Sequence, residues 1–327
     1  MKLLVTTGFG NIIQGGADVW VNHFIDKVLP ILKGEYMIFV DGKRPVGFET
    51  KLKNFHFHGD DSERSNELLE KCEVIHFLHA NYHKRDHIWK HKKKWGTIVV
   101  HAYLPDMLKY GDSLKQFNTK IDEKAFNELL KGCKKRIWIG NNNSSIFDDF
   151  KVESVPNFYE FTKNKLPNLK SFKVGYTARI ESRKNVHYMD DHEGYVLSNR
   201  YDWKNITEMS DYNFSKIKFY QWDSEIHDLF MNKDWDISHS CHTNEPFGYS
   251  IFQAIDYGKI PIIHSDWGRE VDYKYRASSK THFDFTYSQI IRDSRMIHLR
   301  EFLKLKSYMR RFSDVDKWIK KIYVFFS

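Results

Sequence analysis

The 327 residues suit two domains of ordinary size, and a hydrophobic content of 41% is enough for real cores. The three cysteines, Cys72, Cys133 and Cys241, have no C-x-x-C spacing, so neither a zinc site nor a disulfide framework is indicated, and they suit a reducing cytoplasm. No apolar run approaches the roughly 20 residues of a spanning helix, the start is too short an apolar run for a leader, and the net charge of +8 favours an acidic partner.

In chain order, Lys2 to Thr7 reads as a buried strand that runs into Gly8-Phe9-Gly10 and Gly15-Gly16-Ala17-Asp18. Trp20, Val21, Phe24, Ile25 and Val28 then recur at helical spacing from Asp18 onward. Strand, glycine loop and helix make the first unit of a Rossmann-like domain. The glycines lack the G-x-G-x-x-G spacing and the following acidic residue, which excludes an NAD fingerprint. Further strands are expected over Tyr36–Val40, Asn54–His58, Val74–His79, Ile98–His101 and Lys135–Ile139, with helices over Ser62–Cys72 and Phe126–Cys133. A histidine at the carboxyl end of a parallel strand lies in the ligand crevice, which singles out His101; the alternative is a satisfied strand-end histidine.

Between two of those strands stands Tyr82-His83-Lys84-Arg85-Asp86-His87-Ile88-Trp89-Lys90-His91-Lys92-Lys93-Lys94-Trp95. Cations neutralise phosphates and aromatics stack on bases, so Lys84, Arg85, Lys90, Lys92, Lys93 and Lys94 are candidate nucleic-acid contacts, or the solvated face of a connecting helix. An Asn/Ser cluster over Asn141–Ser145 opens a short helix, Val155–Phe158 is an extended exit segment, and Thr162–Asn168 is a polar linker.

The second domain opens with a strand over Phe172–Arg179, followed by a loop to Lys184. Arg179 and Lys184 can close two cations over one diphosphate. Strands at Tyr195–Ser198, Ile217–Tyr220 and Trp235–Ser240 lead to Glu245-Pro-Phe-Gly, a short helix over Tyr249–Tyr257 capped by Gly258, and a buried strand at Pro261–Ile263. Glu245 suits hydroxyls, and the amides of Phe247, Gly248 and Tyr249 suit a phosphate at a helix start. Together they point to a sugar nucleotide, the alternative being an ordinary turn with a surface Glu. No Asp-x-Asp stands where a metal would bridge a diphosphate, so no cofactor and no essential metal are expected. The tail from Ile297 to Ser327 is basic and amphipathic, and could lie on a membrane or touch DNA.

Glu245-x-Phe-Gly, the short helix and the following strand, with Arg179 and Lys184, Gly15-Gly16 and Val-Pro-Asn at 155–157, are similar to retaining GT-B glycosyltransferases of the E-x7-E type. The resemblance implies an α/β fold of two Rossmann-like domains facing each other across a cleft: 1–165 on the acceptor side, 166–300 binding the nucleotide sugar, and 301–327 as helices crossing back. It implies that Arg179 and Lys184 bind the donor diphosphate and that Glu245 and the amides after it hold the sugar. It further places His101 and the Gly15-Gly16 loop across from the sugar. Gln253 stands where the family has its second acid, which holds the ribose. The expected donor is a UDP-sugar. The expected acceptor is 5-hydroxymethylcytosine in double-stranded phage DNA, as in the bacteriophage enzymes the chain resembles, in the host cytoplasm. A cell-surface polysaccharide, lipopolysaccharide or viral-glycan acceptor is the alternative. A non-catalytic nucleotide-sugar or nucleic-acid binding protein is a third, supported by Gln253.

Overall fold

The structure is a computed structural model and describes residues 1–6, 16–44, 54–79, 85–101, 123–139, 150–155, 157–178, 180, 184–198, 200–209, 212–222, 224–243, 245 and 247–327. The chain divides into two compact units, Met1–Phe158 with Asp314–Ser327, and Tyr159–Ser313.

Among the described residues the first unit is built on seven strands: β1 (Lys2–Thr6), β2 (Tyr36–Val40), β3 (Phe55–Phe57), β4 (Val74–His79), β5 (Trp95–His101), β6 (Lys135–Ile139) and β7 (Glu153–Val155). They pair in the order β3-β2-β1-β4-β5-β6-β7, every pairing parallel. Parallel strands covered on both faces carry unbroken apolar runs, and β5 is buried at every position. Helices α1 (Gly16–His23), α2 (Ser62–Lys71), α3 (Asp86–Trp89) and α4 (Glu123–Gly132) supply that cover. The helical periodicity after Asp18 is real, but its continuation over Phe24–Val28 is a π turn that keeps Phe24, Ile25 and Val28 in the core. Asp61 caps α2 by accepting the Arg64 amide at 2.8 Å.

The second unit repeats the design with β8 (Val174–Thr177), β9 (Gly194–Ser198), β10 (Ile217–Gln221), β11 (Ile237–Ser240), β12 (Ile260–His264) and β13 (Arg276–Ala277), ordered β10-β9-β8-β11-β12-β13 and again all parallel. Helices α5 (Arg200–Met209), α6 (Ser224–Met231), α7 (Tyr249–Asp256), α8 (Lys280–Arg292) and α9 (Arg295–Met309) belong to it. Neither β13 nor α8 is expected from the sequence pattern.

The segment read as a polar linker is not a loose connection. Asp256, buried at the end of α7, accepts the backbone amides of Thr162, Lys163 and Asn164 at 3.0, 2.9 and 2.7 Å. Asp236 accepts those of Lys170, Ser171 and Phe172 at 2.6, 2.6 and 2.9 Å. Two carboxylates each satisfy three backbone donors, stitching residues 162–172 onto the rest of the second unit. Gly258 completes the fit: its φ is +73°, and a Cβ there would stand 2.6 Å from the Leu166 carbonyl oxygen.

The last helix, α10 (Val315–Phe326), returns to the first unit and buries Trp318, Ile322, Phe325 and Phe326 in its core. Its orphan carbonyls are met by side chains near the amino ends of the strands. Tyr36 donates to Phe326 O at 2.8 Å, Thr97 to Phe325 O at 2.6 Å and Lys135 to Val324 O at 2.7 Å. The carboxyl ends of the strands are therefore left for another use.

Candidate active site

Both sheets reverse their strand order at an internal point, between β1 and β4 in the first unit and between β8 and β11 in the second. Ligands of open parallel sheets bind outside the carboxyl ends of strands at such a point. In the second unit the loops leaving β8 and β11 carry Lys184 and Glu245.

Lys184 and Glu245, 61 positions apart in the chain, form an ion pair with side chains only 11% and 14% exposed. His242 completes the cluster: its Nδ1 lies 3.3 Å from the Lys184 ammonium and 3.4 Å from the Glu245 carboxylate. The imidazole is buried, and burial, reinforced by the Lys184 charge, pushes its pKa down to about 3, so the ring is neutral. The other oxygen of Glu245 accepts the Gly248 amide at 3.3 Å. That amide, expected to be open to a ligand, is engaged within the loop itself.

Backbone geometry explains why the loop holds this shape. Gly248 sits at φ +81°, where a side chain is strained, and a Cβ there would crowd Ile251 Cδ1 at 2.8 Å and the Trp267 indole nitrogen at 3.1 Å. Trp267 donates to the Phe247 carbonyl at 3.0 Å, and the Phe247 ring stacks on Phe252 at 4.3 Å. Tyr249 begins α7 half-buried, its ring against Phe247 at 4.8 Å. The loop after β12 is fixed by one guanidinium. Arg276 donates to the carbonyls of Ser265, Trp267, Gly268, Val271 and Tyr273 at 3.3, 2.6, 2.7, 2.9 and 3.1 Å.

Three of the residues that build this site are absent from the sequence-based expectation. Asn185 adopts φ +53°, a left-handed position that Asn tolerates. Its side-chain amide donates to Cys241 O at 2.7 Å and to Thr243 Oγ1 at 3.1 Å, tying the β8 loop to the β11 loop. His239 donates from Nε2 to Asn185 O at 2.7 Å and accepts the Cys241 amide on Nδ1 at 3.3 Å, a neutral tautomer whose pKa burial lowers to about 4. The third is His242. An Asn directly after the predicted cation is the one clue the sequence offers.

The remaining predicted residues are distributed as follows. Gln253 lies half-buried on α7 against His227. His101 ends β5, buried, with Nε2 donating to Leu78 O at 3.0 Å and its ring edge-on to Trp20 and His79. Burial pushes its pKa down to about 3. Gly16 is the first residue of α1. Arg179, Gly15 and Lys84 lie outside the described residues, as does the Asn/Ser cluster at 141–145.

The basic run is corrected in two respects. Its described tryptophans are not stacking platforms: Trp89 and Trp95 are core residues, packed edge-to-face at 5.2 Å, while Tyr82 and His83 lie outside the described residues. Several of its cations are committed to the fold, Arg85 to Asp41 at 3.2 Å, Lys92 to Glu128, and Lys94 to the Leu69 and Glu70 carbonyls at the end of α2 at 2.9 and 2.6 Å. Lys90 and Lys93 are exposed. Among the described residues no group of three or more His, Cys, Asp or Glu side chains could hold a metal ion, and no helix is long and apolar enough to cross a membrane.

No protein-family model and no curated protein sequence matches this chain. Solved structures do match it along its whole length. Sucrose-phosphate synthase from Thermosynechococcus elongatus aligns with a TM-score of 0.67 at 11% identity, over 98% of this chain and 96% of that one. WaaG, a glycosyltransferase involved in lipopolysaccharide biosynthesis, aligns with 0.62 at 11% identity, over 99% and 98%. The DNA-modifying enzyme β-glucosyltransferase, solved with and without its substrate uridine diphosphoglucose, aligns with 0.56 at 10% identity, over 100% of both chains. At these identities the likeness is one of fold, and with two Rossmann-like sheets of parallel strands, seven and six among the described residues, the chain has the α/β GT-B fold.

Proposed function

We propose that this protein is a retaining glycosyltransferase of the E-x7-E type that moves a sugar from a nucleotide-diphosphate sugar, with UDP-sugars the first donors to test, to an acceptor hydroxyl. The observation that carries the reading is the meeting of Lys184 and Glu245 beside the Gly248 turn, at the strand-order reversal of the second sheet. A cation suits a diphosphate and a carboxylate suits sugar hydroxyls, and here both stand in one partly desolvated place. In this reading Lys184, with Arg179, stabilises the charge that grows on the departing diphosphate, which is electrostatic catalysis and needs no metal. Glu245 orients the sugar, Gln253 takes the ribose, and the acceptor proton passes to the leaving phosphate. His101, neutral and tied to Leu78, contributes shape and polarity from its strand end rather than charge. Cytoplasmic action fits the three buried free cysteines.

The acceptor we propose is the hydroxymethyl group of 5-hydroxymethylcytosine in double-stranded DNA. The net charge of +8, the exposed Lys90 and Lys93, and the fold shared with a DNA-modifying glucosyltransferase support it. Reaching that group calls for flipping the base out of the stack. The fold shared with WaaG favours a lipopolysaccharide or other glycan acceptor as the second reading, with the basic helices at the end of the chain resting on a membrane surface.

The test is nucleotide release from a panel of nucleotide sugars, with and without hydroxymethylcytosine-containing DNA and with excess chelator. Release that depends on the modified DNA and survives chelation is expected. Release indifferent to DNA moves the acceptor to a glycan or lipid. A strict metal requirement overturns the cation-only mechanism. Binding of a sugar nucleotide without turnover under every condition identifies a non-catalytic binding protein.

A further inference from the structure

The proposed mechanism uses Lys184 and Glu245 but gives no role to the imidazole held against both. An ammonium has three hydrogens and no lone pair, so toward Lys184, the closer of its two neighbours at 3.3 Å, Nδ1 can serve only as an acceptor, whereas toward the Glu245 carboxylate at 3.4 Å it would have to donate. With Nδ1 accepting from Lys184, the proton of the neutral ring resides on Nε2, which is buried and has no hydrogen-bond partner among the described residues. An unpaired buried donor is costly, and the ring is kept in this orientation by its surroundings. The Tyr176 ring stands edge-on at 6.0 Å and the His239 ring at 6.1 Å, while His239 is itself anchored to Asn185 and Cys241. Among the described residues the titratable and charged groups facing His242 are Lys184, Glu245, His239 and Tyr176.

A sugar nucleotide would draw the Glu245 carboxylate toward sugar hydroxyls, and Lys184 would then lose part of its counter-charge in a partly buried place. An acceptor that stays behind compensates it. We infer that His242 is the positioning residue of Lys184, its Nδ1 lone pair holding the ammonium in the direction of the donor phosphates while Glu245 turns to the sugar. This rests on the reading of Lys184 as a phosphate-binding cation.

Two measurements on the full-length protein test it. In nitrogen-15 spectra of the imidazoles, His242 is expected as the neutral Nε2–H tautomer between about pH 5 and 8, the range in which an ordinary histidine titrates; an Nδ1–H tautomer overturns the inference. In calorimetric titrations with UDP, His242→Asn keeps an acceptor where Nδ1 stands and is expected within about three-fold of wild-type affinity. His242→Leu keeps the packing without the acceptor and is expected to bind about ten-fold more weakly, the loss of one charge-assisted hydrogen bond. Wild-type affinity in His242→Leu, or equal loss in both variants at unchanged melting temperature, overturns the inference. Absence of UDP binding by the wild type counts against the donor reading, and the tautomer then decides the His242–Lys184 contact alone.

Discussion

The two units use one strand order and end their central strands in opposite ways. In the second unit the loops leaving β8 and β11 bring a lysine, a glutamate and a histidine together in a partly buried cluster. In the first unit the carboxyl end of β5 carries His101, buried, neutral and bonded to a backbone carbonyl. The same topology therefore supplies a crevice in both places, but the charges differ: the second sets Lys184 against Glu245, whereas the first sets Asp41, just past the end of β2, against Arg85 and His87. Fold determines where a ligand goes, and side chains determine which ligand. A second contrast is internal to the first unit. Its densest run of positive charge looks like a binding surface in the sequence, yet Lys92 and Lys94 spend their charge on Glu128 and on the end of α2.

The largest effect that would sharpen the first contrast is expected from Lys184→Ala. It removes the cation paired with Glu245, and turnover measured as nucleotide release should fall by at least about a hundred-fold, or some 3 kcal/mol. Near-wild-type turnover would break the contrast, since the ion pair would then be ordinary surface chemistry. Gly248→Ala comes next. It forces a methyl group into Ile251 and Trp267 at a left-handed position, and thermal denaturation should show a loss of about 2 kcal/mol.

Acid comes third. His101 in the first unit, and His239 and His242 in the second, have pKa values held at about 3, 4 and 3, below the ordinary 6.5. The unfolded chain binds protons more readily at these sites, so their contribution is full above about pH 6.5 and is lost as the pH falls toward the folded values. Each such group should cost about 1.4 kcal/mol per pH unit in that window. Urea unfolding at descending pH should show this slope, and His101→Gln should flatten it by one group. An unchanged slope would mean that His101 is not buried as described. The smallest effect concerns the basic run. If DNA is the acceptor, replacing Lys90 and Lys93 by Ala should lower the salt slope of DNA binding by about 2, whereas Lys92→Ala should leave it near the wild-type value.

Much of the architecture was legible in the sequence because parallel strands buried on both faces have to be continuous apolar runs. The strands at Tyr36–Val40, Val74–His79 and Lys135–Ile139 stand where the pattern puts them. Gly248 and Gly258 were legible for a related reason, since positive φ leaves few residues to choose from. The short β13 and the amphipathically weak α8 were not, because two strand residues and a helix with Phe285 and Ile291 exposed show no clean period.

The sequence by itself determined the fold class and the short list of charged residues standing at strand ends, because hydrophobic period and turn chemistry are local properties. Only the tertiary structure decided which charges meet. Lys184 finds Glu245 because β8 and β11 are neighbours in the sheet despite the 61 positions between the two side chains. Asn185, His239 and His242 join them through bonds that cross between loops. The same long-range packing turned Trp89 and Trp95 inward and spent Lys92 and Lys94 on the fold. A side chain's neighbours in space, and with them its charge state and its freedom to bind, are set by strand order, which no local pattern encodes.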